Sequence, residues 1–333
     1  MCRRFLRRWS ARFRRDRQAP SAADRARGRG KEASTIELQW YPGHMAKARR
    51  ELQTRLKLVD VVLEVIDARI PDTSRHPRLV VSGRPLPRVL LLSKADLADA
   101  AATREWLEYF RAQGWPALAG DLRSGAWVAR ARRLLQETAS PKRPGVVRVL
   151  VAGLPNVGKS TAINSLAGRS KARTGATAGV TRSLQWLSGG PGLQLLDSPG
   201  VLWPERTTGL AAVYLAATGT VPETAYDPLE AAKELLALLI ERFPERVAAR
   251  YGPELLADTD PLAYVGRRRG CLLPGGGVDL ERAAAVVLGD FREGRLGRLT
   301  LEQPPSGEAA GEDRAGGEVP AREAGESPGA GEG

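Results

Sequence analysis

The chain has 333 residues, 42% of them hydrophobic, which is enough for one large domain and a smaller second one. No apolar run approaches the roughly 18 residues that a membrane span requires, so we expect a soluble protein. Cys2 and Cys271 lie far apart in sequence without neighbouring metal ligands, which argues against a disulfide framework or a zinc site. The formal charge of +13 indicates a polyanionic partner, with nucleic acid as the first expectation.

Both ends of the chain have compositions typical of disorder. Residues 1–35 are rich in arginine, and residues 302–333 are rich in glycine, proline and glutamate. We therefore predict a disordered basic arm and a disordered acidic tail. Three interpretations of the arm stay open: an RNA-binding arm, an organellar transit peptide, or a start codon assigned too early.

Strand and helix patterns alternate through the first half of the chain. The predicted elements, in chain order, are a basic amphipathic helix over 46–57, strands over 59–67 and 87–92, a helix over 101–113, a short strand near 115–119 and a basic helix over 126–138. Such alternation is typical of a parallel α/β sheet with helices on both faces.

A complete phosphate-binding motif follows the next apolar run, which begins at Val146. Residues 153–160 match G-x-x-x-x-G-K-S between a strand and a helix pattern. The glycines let backbone N–H groups converge on phosphate oxygens, Lys159 reaches the β- and γ-phosphates, and the Ser160 hydroxyl can ligate Mg²⁺. We predict a nucleoside triphosphate site that includes Asn156, Val157, Gly158, Lys159, Ser160 and Thr161, with Lys159 acting in catalysis.

A second motif supplies the carboxylate that such a site needs. The apolar strand over 193–196 ends in Asp197-Ser-Pro-Gly200, which fits D-x-x-G. Asp197 would hold the Mg²⁺ ion, and the Gly200 N–H would donate to the γ-phosphate and sense its presence. Thr181 is predicted to complete the Mg²⁺ coordination, although Thr174 and Thr177 compete for this role by chemistry alone.

The base-reading motif is Ser93-Lys94-Ala95-Asp96 at the end of the strand over 87–92, and it is similar to N-K-x-D. Asp96 can accept from guanine N1–H and N2–H, a donor pair that adenine lacks, while the stem of Lys94 packs along the ring. We therefore expect GTP rather than ATP. Ser93 replaces an asparagine whose amide would brace the phosphate loop and touch the base, so we expect weaker nucleotide affinity.

The order of the motifs predicts a circular permutation. The base-reading motif precedes the phosphate loop by about sixty residues, whereas it follows that loop in an ordinary GTPase. We predict a circularly permuted P-loop GTPase domain over 36–204, with a mostly parallel sheet, and a small all-helical RNA-binding domain over 205–301. Helical spacing recurs in the second domain at 208–217, 228–241, 244–251, 262–269 and 279–292. Since the D-x-x-G motif directly precedes this domain, loss of the γ-phosphate could change the orientation of the helical domain.

Several motifs together make the chain closely resemble a known family. They lie at 40–48, 60–71, 153–160, 179–182, 196–201, 269–279 and 291–297, and the resemblance covers about 38–301. The family is that of the circularly permuted GTPases of the YlqF type, called ribosome biogenesis GTPase A. The resemblance implies a GTPase that binds the maturing large ribosomal subunit, with rRNA and ribosomal proteins as partners. Its helical domain is expected to contact rRNA. We expect a monomer away from the ribosome. Ser93 and the loop at 119–121 depart from the family pattern.

The resemblance also suggests how water is positioned. Val201 follows Gly200, where many GTPases place a glutamine, and valine cannot orient water. His44 matches the histidine of the family's P-G-H-M motif, and a hydrolytic role and a structural or RNA-contacting role both stay open. Asn156 matches the asparagine that helps related enzymes hold K⁺.

Other functions and locations stay open. One alternative is a constitutive RNA-binding or scaffold protein with little GTP turnover, which intact Lys159, Ser160 and Asp197 argue against. Another is an ATPase or nucleotide kinase, which conflicts with Asp96. We expect a bacterial cytoplasmic protein, or a mitochondrial matrix protein if the basic arm is a transit peptide.

Overall fold

The computed structural model describes residues 36–38, 56–75, 86–141, 145–168, 185–197 and 207–305. The described residues up to Gln303 belong to one compact unit. Within these ranges, no helix is both long and apolar enough to cross a lipid bilayer.

In the described ranges, eight strands form two sheets. In chain order they are β1 (Glu37–Leu38), β2 (Val61–Asp67), β3 (Arg88–Ser93), β4 (Ala117–Ala119), β5 (Val147–Ala152), β6 (Gln185–Ser188), β7 (Leu193–Asp197) and β8 (Thr207–Thr208). The main sheet has the spatial order β4-β3-β2-β5-β7-β6, and only the β6–β7 pair is antiparallel. β1 and β8 form a separate antiparallel pair.

Helices cover both faces of the main sheet, which is why its central strands are apolar throughout. Among the residues that the structure describes, these helices are α1 (Ala100–Ala112), α2 (Val128–Thr138) and α3 (Lys159–Ala167). Side chains of α1, including Trp106 and Phe110, share a core cluster with Ile66 on one face. The core of the opposite face contains Leu63 and Val65 together with residues of α2 and α3.

The rest of the described chain is helical. Its helices are α4 (Leu210–Thr218), α5 (Pro228–Arg242), α6 (Pro244–Tyr251), α7 (Pro261–Arg268) and α8 (Leu280–Arg292). Three of them begin at an aspartate that caps a backbone N–H, namely α5 at Asp227, α7 at Asp260 and α8 at Asp279. α4 is buried almost throughout, since its residues are apolar on every side.

The predicted fold class is confirmed: the sheet is mostly parallel, helices lie on both faces, and a helical region follows. Most of the predicted basic helix over 46–57 lies outside the described residues. The helix predicted from 208 begins at Leu210, because Thr207 and Thr208 pair with β1, which the sequence did not indicate. The boundary between 204 and 205 stays a prediction.

Candidate nucleotide-binding site

The phosphate loop joins β5 to α3 at the carboxyl edge of the main sheet. Gly153 has φ 151°, and a Cβ there would lie 2.3 Å from the Val65 carbonyl oxygen. Gly158 has φ 104° and caps α3, and Asn156 has φ 55°. Glycine is therefore required at 153 by close approach and favoured at 158 by backbone conformation. The resulting turn points the first N–H groups of α3 toward the loop, as anion binding requires.

Lys159 is a buried cation at the first position of α3. Its side chain is almost fully buried, and its Nζ donates to the Leu154 carbonyl oxygen at 2.6 Å. Burial lowers the pKa of Lys159 to about 8, although the charge of Asp197 opposes this effect. The charge of Asp197 offsets only part of the cost of burying this ammonium group, so a polyphosphate ligand would stabilise it further.

The two described magnesium-ligand candidates follow neighbouring strands. Asp197 ends β7, is buried, and pairs in register with Val151 of β5, while Ser160 lies in the first turn of α3. Carboxylate and hydroxyl oxygens are ligands that Mg²⁺ prefers. Asp197 and Ser160 would hold a Mg²⁺ ion, which would supply positive charge to neutralise the charge that develops on the phosphate groups. Half-buried Thr161 follows Ser160 in α3.

Three predicted site residues lie outside the described residues. They are His44, Thr181 and Gly200. Their roles in water positioning, Mg²⁺ coordination and γ-phosphate sensing stay predictions.

The base-reading motif follows β3 at the same edge of the sheet. Lys94 has φ 54°, and its Nζ lies 2.9 Å from Oδ2 of Asp67. Asp96 is partly exposed, and its Oδ2 accepts from Nη2 of Arg123 at 2.8 Å. Arg123 is in turn held by Asp121, whose Oδ1 accepts from its backbone N–H and its Nε. The carboxylate predicted to read guanine thus contacts an arginine of the loop after β4.

Ser93 contacts the phosphate loop directly. Its Oγ lies 2.5 Å from the Val157 carbonyl oxygen and 2.9 Å from that of Ile66, and the residue is fully buried. Ser93 lacks the asparagine amide, but its hydroxyl also contacts the phosphate loop. Whether the substitution weakens nucleotide affinity stays a prediction. Whether Ser93 affects contact with the base stays a prediction.

An ion-pair cluster beneath Lys94 was missed by sequence reasoning. Buried Asp67 ends β2 and accepts from Nε and Nη2 of Arg69 at 2.9 and 2.8 Å. Burial alone would raise the pKa of Asp67, but the charges of Arg69 and Lys94 outweigh it and hold the pKa well below its usual range. The signal was Asp67 and Arg69 within an otherwise apolar stretch after a buried strand.

The helical region contacts the site at two places, the ion-pair cluster beneath Lys94 and the phosphate loop. Nη1 of Arg69 donates to the carbonyl oxygens of Phe291 and Arg292, each at 3.3 Å, at the C-terminus of α8. Nδ2 of Asn156, in the phosphate loop, donates to the Gly219 carbonyl oxygen at 2.7 Å, just after α4. The Arg292 side chain donates to the Ala216 and Ala217 carbonyl oxygens at the same helix end. Sequence spacing gave no signal for these contacts.

The fold and the motif order define the class: a circularly permuted P-loop GTPase. In agreement, residues 148–246 match the family described as 50S ribosome-binding GTPase.

Relatives identify the family within this class. The chain is 40% identical to ribosome biogenesis GTPase A of Priestia megaterium, across 82% of this chain and 99% of that protein. It is 33% identical to mitochondrial ribosome-associated GTPase 1 of Xenopus tropicalis, across 65% of this chain and 74% of the relative. The crystal structure of GNP-bound YlqF from T. maritima has a TM-score of 0.56 at 29% identity, across 78% of this chain and 99% of that chain. The chain belongs to the ribosome biogenesis GTPase A (YlqF) family. It is therefore a GTPase of ribosome biogenesis that uses GTP and Mg²⁺.

Proposed function

We propose that this GTPase binds rRNA of the maturing large ribosomal subunit in its GTP state and is released after hydrolysis, which the subunit stimulates. The observation that carries this proposal is the hydrogen bond from Asn156 of the phosphate loop to the Gly219 carbonyl oxygen. A loop that surrounds the phosphates is thereby joined to the helical region. A change at the γ-phosphate has a short route to the proposed RNA-binding surface.

The contacts at the end of α4 support this route. Arg292 donates to the Ala216 and Ala217 carbonyl oxygens, and Asn156 donates to that of Gly219, so α8 and the phosphate loop share one helix end. Displacement of the phosphate loop would alter a hydrogen bond at this end. Rigid helices would pass the change on to α8.

Exposed arginines supply the proposed contacts to rRNA phosphates. Arg267 and Arg268 lie exposed in the last turn of α7, and the Arg282 side chain in α8 is 61% exposed. Arg267 also pairs with Asp258 at 3.1 Å, so part of its charge is used within the protein. Replacing Arg268 with alanine should weaken subunit binding. It should also reduce the slope of log binding constant against log salt concentration by about one, since one fewer counterion is released. Arg133→Ala, at an exposed position on α2, is the matched control.

Asn156 variants test the coupling. Sedimentation with purified large subunits would compare affinity at saturating GTP analogue with affinity at saturating GDP. Asn156→Asp keeps a side-chain oxygen but loses the donor to Gly219, so the two affinities should become nearly equal. Retention of the wild-type ratio in this variant would overturn the proposed route.

The same residue carries the proposed K⁺ dependence, because its Oδ1 is an amide oxygen of the kind that binds alkali cations. GTP hydrolysis should rise when Na⁺ is replaced by K⁺, more in the wild type and Asn156→Asp than in Asn156→Ala.

We propose that His44 positions the attacking water. Subunit-stimulated hydrolysis that survives His44→Ala would remove that role.

The alternative function is a constitutive rRNA-binding scaffold with little GTP turnover, and it predicts equal subunit binding with GTP and with GDP.

We propose a monomer away from the ribosome and a bacterial cytoplasmic location, with the mitochondrial matrix as the alternative if residues 1–35 are a transit peptide. Fusion of those residues to a fluorescent protein would separate the two locations.

A further inference from the structure

A short segment after α8 packs against the loops that follow β2 and β3. We name residues 299–302 the C-terminal strap. Its residues, Leu299, Thr300, Leu301 and Glu302, are each no more than 7% exposed. Burial of a threonine and a glutamate is costly unless their polar atoms are paired, so the contacts of the strap indicate what it does.

The strap holds the base-reading loop at two points. The Leu299 N–H donates to the Leu97 carbonyl oxygen at 3.1 Å, and the Asp99 N–H donates to Oγ1 of Thr300 at 3.1 Å. The turn after α8 also packs on Leu97, since a Cβ at Gly294 would lie 2.8 Å from its Cδ2. Asp96 immediately precedes Leu97, so the backbone that aims its carboxylate is fixed by the strap.

The other contacts anchor the strap to the loop after β2. The Leu301 N–H donates to the Arg69 carbonyl oxygen at 2.8 Å, and the Glu302 carboxylate accepts from the N–H groups of Asp72 and Thr73. The indole N–H of Trp106, in α1, donates to the Glu302 carbonyl oxygen at 3.1 Å. The strap is thus held by groups from the loop after β2 and from α1.

We infer that the C-terminal strap positions Asp96 for guanine, with Thr300 as a positioning residue for base selectivity. The inference rests on the proposed role of Asp96 as the guanine reader. A carboxylate that must accept from N1–H and N2–H together tolerates little misalignment. Guanine selectivity of this GTPase therefore depends on residues about two hundred positions after the base-reading motif.

The test compares two nucleotides in the full-length protein. Inosine diphosphate lacks the exocyclic amino group, so the ratio of its Kd to that of GDP measures how well Asp96 is aligned. Thr300→Val keeps the shape but removes the acceptor of the Asp99 N–H, and this ratio should fall by about three- to tenfold, the equivalent of roughly one lost hydrogen bond. Thr300→Ser keeps the hydroxyl and should retain the wild-type ratio.

Controls separate alignment from general loss of structure. A loosened fold would weaken both nucleotides equally and leave the ratio unchanged, so an unchanged ratio in Thr300→Val overturns the inference. If that variant does not fold, Glu302→Gln loosens the anchor of the strap and should lower the ratio by a smaller factor; an unchanged ratio there has the same meaning. Asp96→Ala tests the underlying assignment. If Asp96→Ala keeps the wild-type ratio of the two Kd values, Asp96 does not read guanine. If the ratio falls in Asp96→Ala but not in Thr300→Val, Asp96 reads guanine and only the role of the strap is rejected.

Discussion

The hydroxyl of Ser93 lies 2.5 Å from the Val157 carbonyl oxygen, so the base-reading motif and the phosphate loop are joined by one hydrogen bond. Ser93 ends β3, and Val157 lies between the two glycines of the phosphate loop. Both residues are fully buried. A short polar side chain here fixes the separation between the parts of the site that contact base and phosphates.

Replacing Ser93 with alanine should therefore lower both stability and nucleotide affinity. Loss of a buried hydroxyl that serves backbone carbonyl groups costs about 1–3 kcal/mol in the free energy of unfolding. GDP affinity should fall by a few fold, since the phosphate loop is then less well held. Denaturant unfolding and fluorescence titration measure the two effects. Ser188→Ala removes an exposed hydroxyl of β6 that accepts from the Gly190 N–H at 3.4 Å, so it should leave GDP affinity unchanged and lower stability by less. Equal behaviour of the two variants would contradict the proposed brace.

Arg123 should weaken guanine binding in the wild type, because its guanidinium occupies a carboxylate oxygen of Asp96. The Arg123 side chain is 75% exposed, and exposed pairs contribute about 0.2–1 kcal/mol. Arg123→Ala should raise GDP affinity by about two- to fivefold, with a smaller effect at high salt. Arg133→Ala removes a similarly exposed arginine that pairs with Glu137, and it should have no effect. A lower GDP affinity in Arg123→Ala would indicate that Arg123 supports the base instead.

Local patterns predicted most of the fold and the position of the phosphate loop between a strand and a helix. The strand that ends at Asp67 and the phosphate loop at 153–160 are continuous stretches in which each residue type has a local physical cause. Helix starts such as α8 at Asp279 are local as well, because a capping carboxylate serves a backbone N–H three residues later.

Contacts between distant residues could not be predicted in the same way. Asn156 and Gly219 are 63 positions apart, and Thr300 meets Asp99 across 201 positions. Neither pair belongs to a periodic pattern, and nothing in the sequence connects either polar side chain with its distant partner. The contact of Ser93 was not predicted for the same reason, since a serine hydroxyl reaches Val157 only because β3 and the phosphate loop lie side by side.

Glu302 should make stability depend on pH. Burial, together with the nearby charge of Asp72, raises the pKa of Glu302 from 4.5 to about 7, although hydrogen bonds from Asp72 and Thr73 oppose the shift. The folded state therefore holds a proton that the unfolded state releases. Its stabilising contribution is complete below pH 4.5 and is lost as the pH rises to about 7.

Unfolding of the wild type and Glu302→Gln over this pH range measures that contribution. The amide does not titrate, so the stability of the wild type relative to the variant should fall by about 2–3 kcal/mol between the two pKa values. Parallel pH profiles would show that Glu302 titrates normally in the folded protein.

Nucleotide binding should take up a proton at Lys159 in mildly alkaline solution. Burial lowers its pKa to about 8, so most of the population is neutral above that pH. Phosphate oxygens favour the charged ammonium, so binding raises the pKa and draws a proton from the solvent. Titration calorimetry of GDP at about pH 8.5, in buffers of different ionisation enthalpy, should give uptake of up to one proton. Lys159→Arg stays charged and should show none, while equal uptake in both proteins would assign the proton to another group.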